Sequence, residues 1–377
     1  MSKLIKGLSL ITIIIIVFFL VERKASGDES ILYENKTIHY ELVKNEMVDT
    51  YLIAGAMYYE FKSPYLMPNT ENEELYQKVK AHFEPYKEHS FIKNYKSYGH
   101  MGDINGDAIG VILSYSDREL KPIADIPQSY REGVFKTDAS LNMFLKDLKD
   151  FYETSHAHDF FEENKADYGL IRERIAAEIA TKKLSELIEA TGKYINGKEK
   201  PFKNEEIKYQ TVLTLYRPGN ASFFKVNQKQ YTQFITLLSA NTAERDPNIM
   251  DIDQMVASNI HEILHNYINE MVKGHQDKID ALAQTKEKNS YVPEMYQPMP
   301  WYRIVDEYCV RAIEGRIYGQ VFDENLAYKK IIEPEIKWGG FSKLDQVYKC
   351  LENYEMDRAR YKSFDLYVEE CVQVLFN

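Results

Sequence analysis

The chain has 377 residues, of which 44% are hydrophobic and 28% charged, and carries a formal net charge of −11. That is enough chain for one large or two ordinary domains with a full-sized core, and the composition is globular. The acidic balance and the absence of a Lys/Arg block exclude a phosphate-tracking stripe, and with it nucleic acid as a partner.

In chain order, Lys3 and Lys6 precede an apolar run from Leu8 to Val21, followed by the small residues Ala25-Ser26-Gly27. The run is shorter than the roughly 20 residues of a spanning helix and has the length of a signal-peptide core. Residues 1–27 are therefore expected to be a cleaved signal peptide. Glu22-Arg23-Lys24 between run and cleavage site leaves an uncleaved N-terminal anchor open. Either way the bulk of the chain is expected outside the cytoplasm, secreted, periplasmic or at the cell surface, with membrane contact only through this segment.

Residues 28–200 read as mostly helical. Apolar spacing predicts helices over Glu41 to Phe61, Asn72 to Lys93, Leu141 to Glu153 and Tyr168 to Ala190, and a strand over Ala108 to Leu113. The loop before that strand, Asp103-Ile104-Asn105-Gly106-Asp107, opens like a calcium loop, but Ser114 stands where the twelfth-position Glu belongs, so it reads as a turn. His156-Ala157-His158-Asp159 reads as a solvated loop rather than a ligand pair. Gly192 to Glu205 reads as a linker or a long surface loop.

Residues 201–377 change texture. Strands are expected over Tyr209 to Tyr216, Ala221 to Val226 and Gln230 to Leu238, making a small sheet directly before a long amphipathic helix. That helix stops at Gly274. A polar stretch to Ser290 and a proline- and tyrosine-rich loop, Tyr291 to Pro300, lead to a helix from Trp301 to Tyr318 closed by Gly319, and then to amphipathic helices around a Gly339-Gly340 turn. The three cysteines are too few for a stapled scaffold; Cys350 and Cys371 could pair, and Cys309 reads as core.

The long helix carries His261-Glu262-Ile263-Leu264-His265, an H-E-x-x-H. Two imidazoles at i and i+4 share one helical face and can grip one Zn²⁺, while the intervening Glu can take a proton from water. Val256, Ile260, Ile263, Leu264, Tyr267 and Met271 form an apolar stripe with the His pair at its margin, so one flank packs and the other lines a cleft.

A catalytic zinc takes three protein ligands and keeps one position open. The metzincin solution needs His at 271 and Gly at 268, where Met271 and Ile268 stand. The candidate third ligand is Glu307, at the stripe margin of the Trp301 helix, with Arg311 one turn on to orient it. Asp306, Glu270, Glu314 and His275 are the alternatives.

Together, the strand-rich stretch, the H-E-x-x-H and Glu307 on a later helix resemble the gluzincin branch of zinc metallopeptidases. The phrases around them, with Asn269 after the second His and Arg311-Ala312 after Glu307, resemble an uncharacterised family of predicted secreted bacterial proteins carrying this motif. The resemblance implies a helix-rich α+β fold with a zincin-like catalytic region, namely a small mixed sheet, an active-site helix and a second ligand-bearing helix. It also implies a peptide or protein substrate added to an edge strand near Tyr209 to Tyr216, Zn²⁺ on His261, His265 and Glu307, and Glu262 as general base. A Tyr or His would steady the oxyanion, with Tyr291, Tyr296, Tyr302, Tyr308 and His275 all open. The alternatives are a non-catalytic secreted binding protein that keeps the helix, and a zinc hydrolase of non-peptide amides.

Overall fold

The computed structural model describes residues 31–34, 39–61, 73–98, 106–126, 135–166, 169, 184–196, 207–214, 222–227, 232–239 and 252–377. The expected export segment, the calcium-like turn through position 105 and most of residues 168–183 lie outside them. Among the described residues no helix is long and apolar enough to cross a membrane.

The fold is helix-rich α+β. Strands β1 (Ile31–Glu34) and β2 (His39–Val43) come first, in a stretch read from sequence as helical. Helices α1 (Glu46–Tyr58), α2 (Glu73–Phe83), α3 (Ser90–Asn94), α4 (Gly106–Leu113), α5 (Asp138–Thr154), α6 (Ala157–Glu163) and α7 (Leu184–Asn196) follow. Next come β3 (Ile207–Thr214), β4 (Ser222–Asn227) and β5 (Thr232–Ser239). The remainder is α8 (Ile252–Lys273), α9 (Gln276–Ala283), α10 (Trp301–Val321), α11 (Glu324–Ala327), α12 (Glu333–Lys337), α13 (Leu344–Met356) and α14 (Val368–Phe376).

The sheet has the order β1-β2-β3-β5-β4; β2, β3 and β5 run parallel, and the outer pairs are antiparallel. β3 is therefore internal. The expectation that the segment from Tyr209 to Tyr216 offers an open edge is overturned, because β2 and β5 already occupy its two sides. Among the described residues the sheet edges are β1 and β4. The β2–β3 pairing also joins chain from both sides of position 200.

β3 anchors helices on the sheet through buried threonines. Thr214 donates to Asp49 of α1 at 2.6 Å, and Thr211 donates to Asn259 of α8 at 2.8 Å, two residues before His261. α1 begins where Asn45 accepts from the Val48 N–H and Asp117 accepts from the Glu46 and Met47 N–H groups, satisfying donors that a helix start leaves open. Its flanks are apolar nearly all round, and its ring Tyr51 packs on Phe91, Tyr95 and Phe144. α8 buries Ile260, Ile263, Leu264, Ile268 and Val272 at helical spacing and packs on α10.

Several expectations change here. The run from Ala108 to Leu113 is helix α4, since a short, wholly buried apolar run has no period to separate helix from strand. Residues 157–163 form α6, begun by His156 in the left-handed region at φ 53°, so the expected loop is only its cap. Gly192 lies inside α7. The polar stretch after Gly274 contains α9, which plants Ile279 and Ala283 in the core. α10 runs through Gly319, where Glu324 and Ala327 approach too closely for a larger residue to sit comfortably. Gly340, at φ +76° against Pro293, makes the expected turn. All three cysteines are buried thiols, with Cys371 hydrogen-bonded to both Cys309 and Cys350.

Candidate metal centre

α8 and α10 cross so that His261, His265 and Glu307 meet. The two Nε2 atoms are 3.1 Å apart, and Glu307 places Oε2 3.8 Å from Nε2 of His261 and Oε1 3.7 Å from Nε2 of His265. Each side chain is about one-sixth exposed, so the group is sheltered but open on one side.

The outer nitrogens are held by acidic neighbours. Nδ1 of His261 lies 2.9 Å from Glu314 Oε2. Nδ1 of His265 lies 3.4 Å from Asp306 Oδ2 and 3.0 Å from the Asn269 amide. That amide is best satisfied with its nitrogen on Asp306 Oδ1 at 2.8 Å and its oxygen on Arg303 Nη1 at 3.0 Å. Glu314 and Asp306, weighed from sequence as alternative third ligands, thus stand behind the imidazoles and orient them. Glu270 is exposed, and His275 faces Asp365 and Glu369 at the start of α9.

Arg311 fixes Glu307. Its Nη1 donates to Glu307 Oε2, Nε to Glu335 Oε2 at 2.9 Å and Nη2 to the Tyr296 hydroxyl at 3.3 Å, while its guanidinium lies 4.1 Å over the Phe341 ring. The i, i+4 pair was legible; Glu335, Tyr296 and Phe341, which hold its far side, come from segments no helical period connects to it. Of the open oxyanion candidates, Tyr308 donates to the Tyr291 carbonyl and Tyr291 packs between Trp301 and Phe376. Tyr302 lies under Arg303, whereas Tyr296 brings its hydroxyl to Arg311.

The electrostatics are those of one positive charge held between two imidazoles. Burial, then the charges of Arg311 and His265, pull His261 down to about 4. Burial alone would lower His265 too, but its hydrogen bond to Asp306 and the charges of Glu307 and Asp306 override it and raise it to about 9. Burial would raise Glu307, yet Arg311 and the two histidines hold it at about 2. Glu262 is half-buried beside the pair, and its negative charge favours the protonated form of both imidazoles.

One group outside this site was passed over in the sequence. Glu46 of α1 meets His158 and Glu162 of α6. The available signal was the i, i+4 spacing of His158 and Glu162, which becomes meaningful only once residues 157–163 are known to be helical.

The chain matches the family model described as Domain of unknown function (DUF4932) over residues 56–374, and belongs to that family. No curated protein and no solved structure matches it.

Proposed function

We propose that this DUF4932 protein is an extracytoplasmic zinc metallopeptidase of gluzincin type, with His261, His265 and Glu307 as the metal ligands and Glu262 as the general base. One observation carries the reading: side chains from two helices converge, with the two imidazole Nε2 atoms 3.1 Å apart and the two Glu307 oxygens 3.8 Å from Nε2 of His261 and 3.7 Å from Nε2 of His265. A tetrahedral ion roughly 2.1 Å from each donor needs donors roughly 3.4 Å apart. The chemistry of the set fits as well. With Glu314 and Asp306 at the two Nδ1 atoms, the facing Nε2 atoms can hold a cation between them, a proton in the metal-free chain or a metal ion in its place.

When bound, Zn²⁺ would supply Lewis acidity toward a scissile carbonyl and bring the pKa of water to about 7. Glu262 takes the attacking water's proton and passes it to the departing amine. Glu314 and Asp306 orient the two imidazoles with Nε2 toward the site, and Arg311 keeps Glu307 ionised and turned toward them. An extended peptide would add to β4, the sheet edge on which α8 also packs.

The test is cleavage of a peptide library by the purified chain, with chelator and zinc add-back. Cleavage abolished by chelator and restored by zinc supports a peptidase. Zinc binding with no peptide cleaved turns the reading toward other amides or toward a binding protein, and cleavage indifferent to chelator removes the metal from the mechanism.

A further inference from the structure

The group around Glu46 has the same plan as the one on α8 and α10. One helix, α6, presents two potential ligands at i and i+4, His158 and Glu162, and a carboxylate from another helix, Glu46 of α1, closes the set. One donor atom from each lies within 4.8 Å of the other two. We propose that Glu46, His158 and Glu162 form a second divalent-metal site, taking Zn²⁺ through one imidazole and two carboxylates and clamping α6 to the start of α1.

Two features make this more than an acidic surface cluster. The first is preorganisation. Glu46 is buried, and its Oε2 receives the Tyr152 hydroxyl at 2.5 Å while facing His158 Nδ1 at 3.1 Å. Tyr152 thus holds this carboxylate as Arg311 holds Glu307. α6 is oriented by the left-handed His156 and seated by buried Phe160 and Phe161, which leave His158 half-buried and Glu162 exposed. An ion can therefore enter from solvent onto a fixed inner ligand.

The second feature is a buried carboxyl oxygen left unpartnered beside this end of α1 among the described residues. One turn along, Asp49 is 1% exposed and its Oδ2 has no partner among the described residues. Burial, against the hydrogen bond from Thr214 and the charge of Lys44 and with small help from the charges of Asp117 and Glu46, pushes Asp49 up to about 8. Lys44 lies 3.5 Å from Glu46 Oε1, and Lys165 lies 2.9 Å from Glu162 Oε2. Zn²⁺ would displace the exposed Lys165 and leave Lys44 on the outer oxygen. Because it competes with a lysine and has fewer imidazoles, this site is expected to bind more weakly than the one on α8 and α10.

The proposal is independent of the peptidase reading. Its test is equilibrium dialysis of the full chain against Zn²⁺, with elemental analysis of wild type, His158→Ala, Glu162→Gln and the double variant His261→Ala/His265→Ala. Two zinc ions are expected on the wild type and one each on His158→Ala and on the double variant. Adding His158→Ala to the double variant should leave none. Glu162→Gln, an exposed change that spares the fold, should weaken the second site at least about tenfold. If His158→Ala and Glu162→Gln bind zinc like the wild type, or the double variant binds none, the second site does not exist. A wild type holding one zinc, lost in His158→Ala but kept in the double variant, would uphold this site and sink the one on α8 and α10.

Discussion

Two of the three arginines on α10, Arg311 and Arg316, five residues apart, are each 9% exposed and each set among carboxylates and aromatic rings. Arg316 is closed on itself. Its Nε and Nη2 grip both oxygens of Glu355 at 2.8 and 2.5 Å, and Nη1 takes Glu324 at 2.8 Å. Arg311 instead touches Glu307 at one oxygen and leaves the other facing Nε2 of His265. Both arginines neutralise nearby carboxylates, but only at Arg311 is a carboxylate oxygen kept for a third party. A saturated fork is a structural element; a fork that holds a carboxylate by one side, aimed at two imidazoles, is the outer support of a ligand.

The strongest way to break this distinction is at the chemistry itself. Glu262→Gln cannot accept a proton, so turnover should fall by at least about 100-fold while zinc content and melting temperature hold; equal turnover would take Glu262 out of the mechanism. Next, Arg311→Met should weaken zinc binding by about 10–100-fold, because Glu307 loses what orients it, and dialysis against a competing chelator reads this directly. Arg316→Met should leave zinc affinity unchanged and cost about 2 kcal/mol of stability in denaturant unfolding, the mark of a broken partly buried pair. If Arg316→Met weakened zinc as much as Arg311→Met, the two clusters would not differ in kind.

Asp49 sharpens the contrast, being a buried carboxyl with no arginine. Glu307 is held at about 2, whereas Asp49 is pushed up to about 8 by burial despite its hydrogen bond from Thr214. Folded Asp49 therefore keeps a proton that the unfolded chain releases near 4, and its contribution to stability is full below about 4 and lost as pH rises through about 8. Between pH 6 and 7 the loss is at most about 1.4 kcal/mol. Asp49→Asn should flatten the dependence, measured as unfolding free energy against pH; an unchanged slope would mean that Asp49 is ionised in the fold.

What the sequence revealed and what it hid follow from the range of the interactions. His261, His265 and the Glu307–Arg311 pair are i, i+4 relations within helices, so helical period alone placed them. The apolar stripes of α8 and α10 were legible for the same reason. The outer partners were visible as residues but not as roles. Glu314 and Asp306 became hydrogen-bond acceptors only when the crossing of α8 and α10 fixed which imidazole nitrogen each could reach. The sheet order was illegible for a deeper reason. β2 and β3 pair in parallel across more than a hundred residues of intervening chain, and no local pattern says that β3 ends inside the sheet rather than at its edge.

The metal centre itself is tested most directly by X-ray absorption at the zinc edge on the His158→Ala chain loaded with less than one equivalent of zinc. The predicted first shell has two imidazole nitrogens at about 2.0–2.1 Å and one carboxylate oxygen at about 2.0–2.2 Å from the protein, and the imidazole signal disappears in His261→Ala/His265→Ala. A shell containing sulfur, a shell without imidazole, or one unchanged by the double substitution would contradict the account.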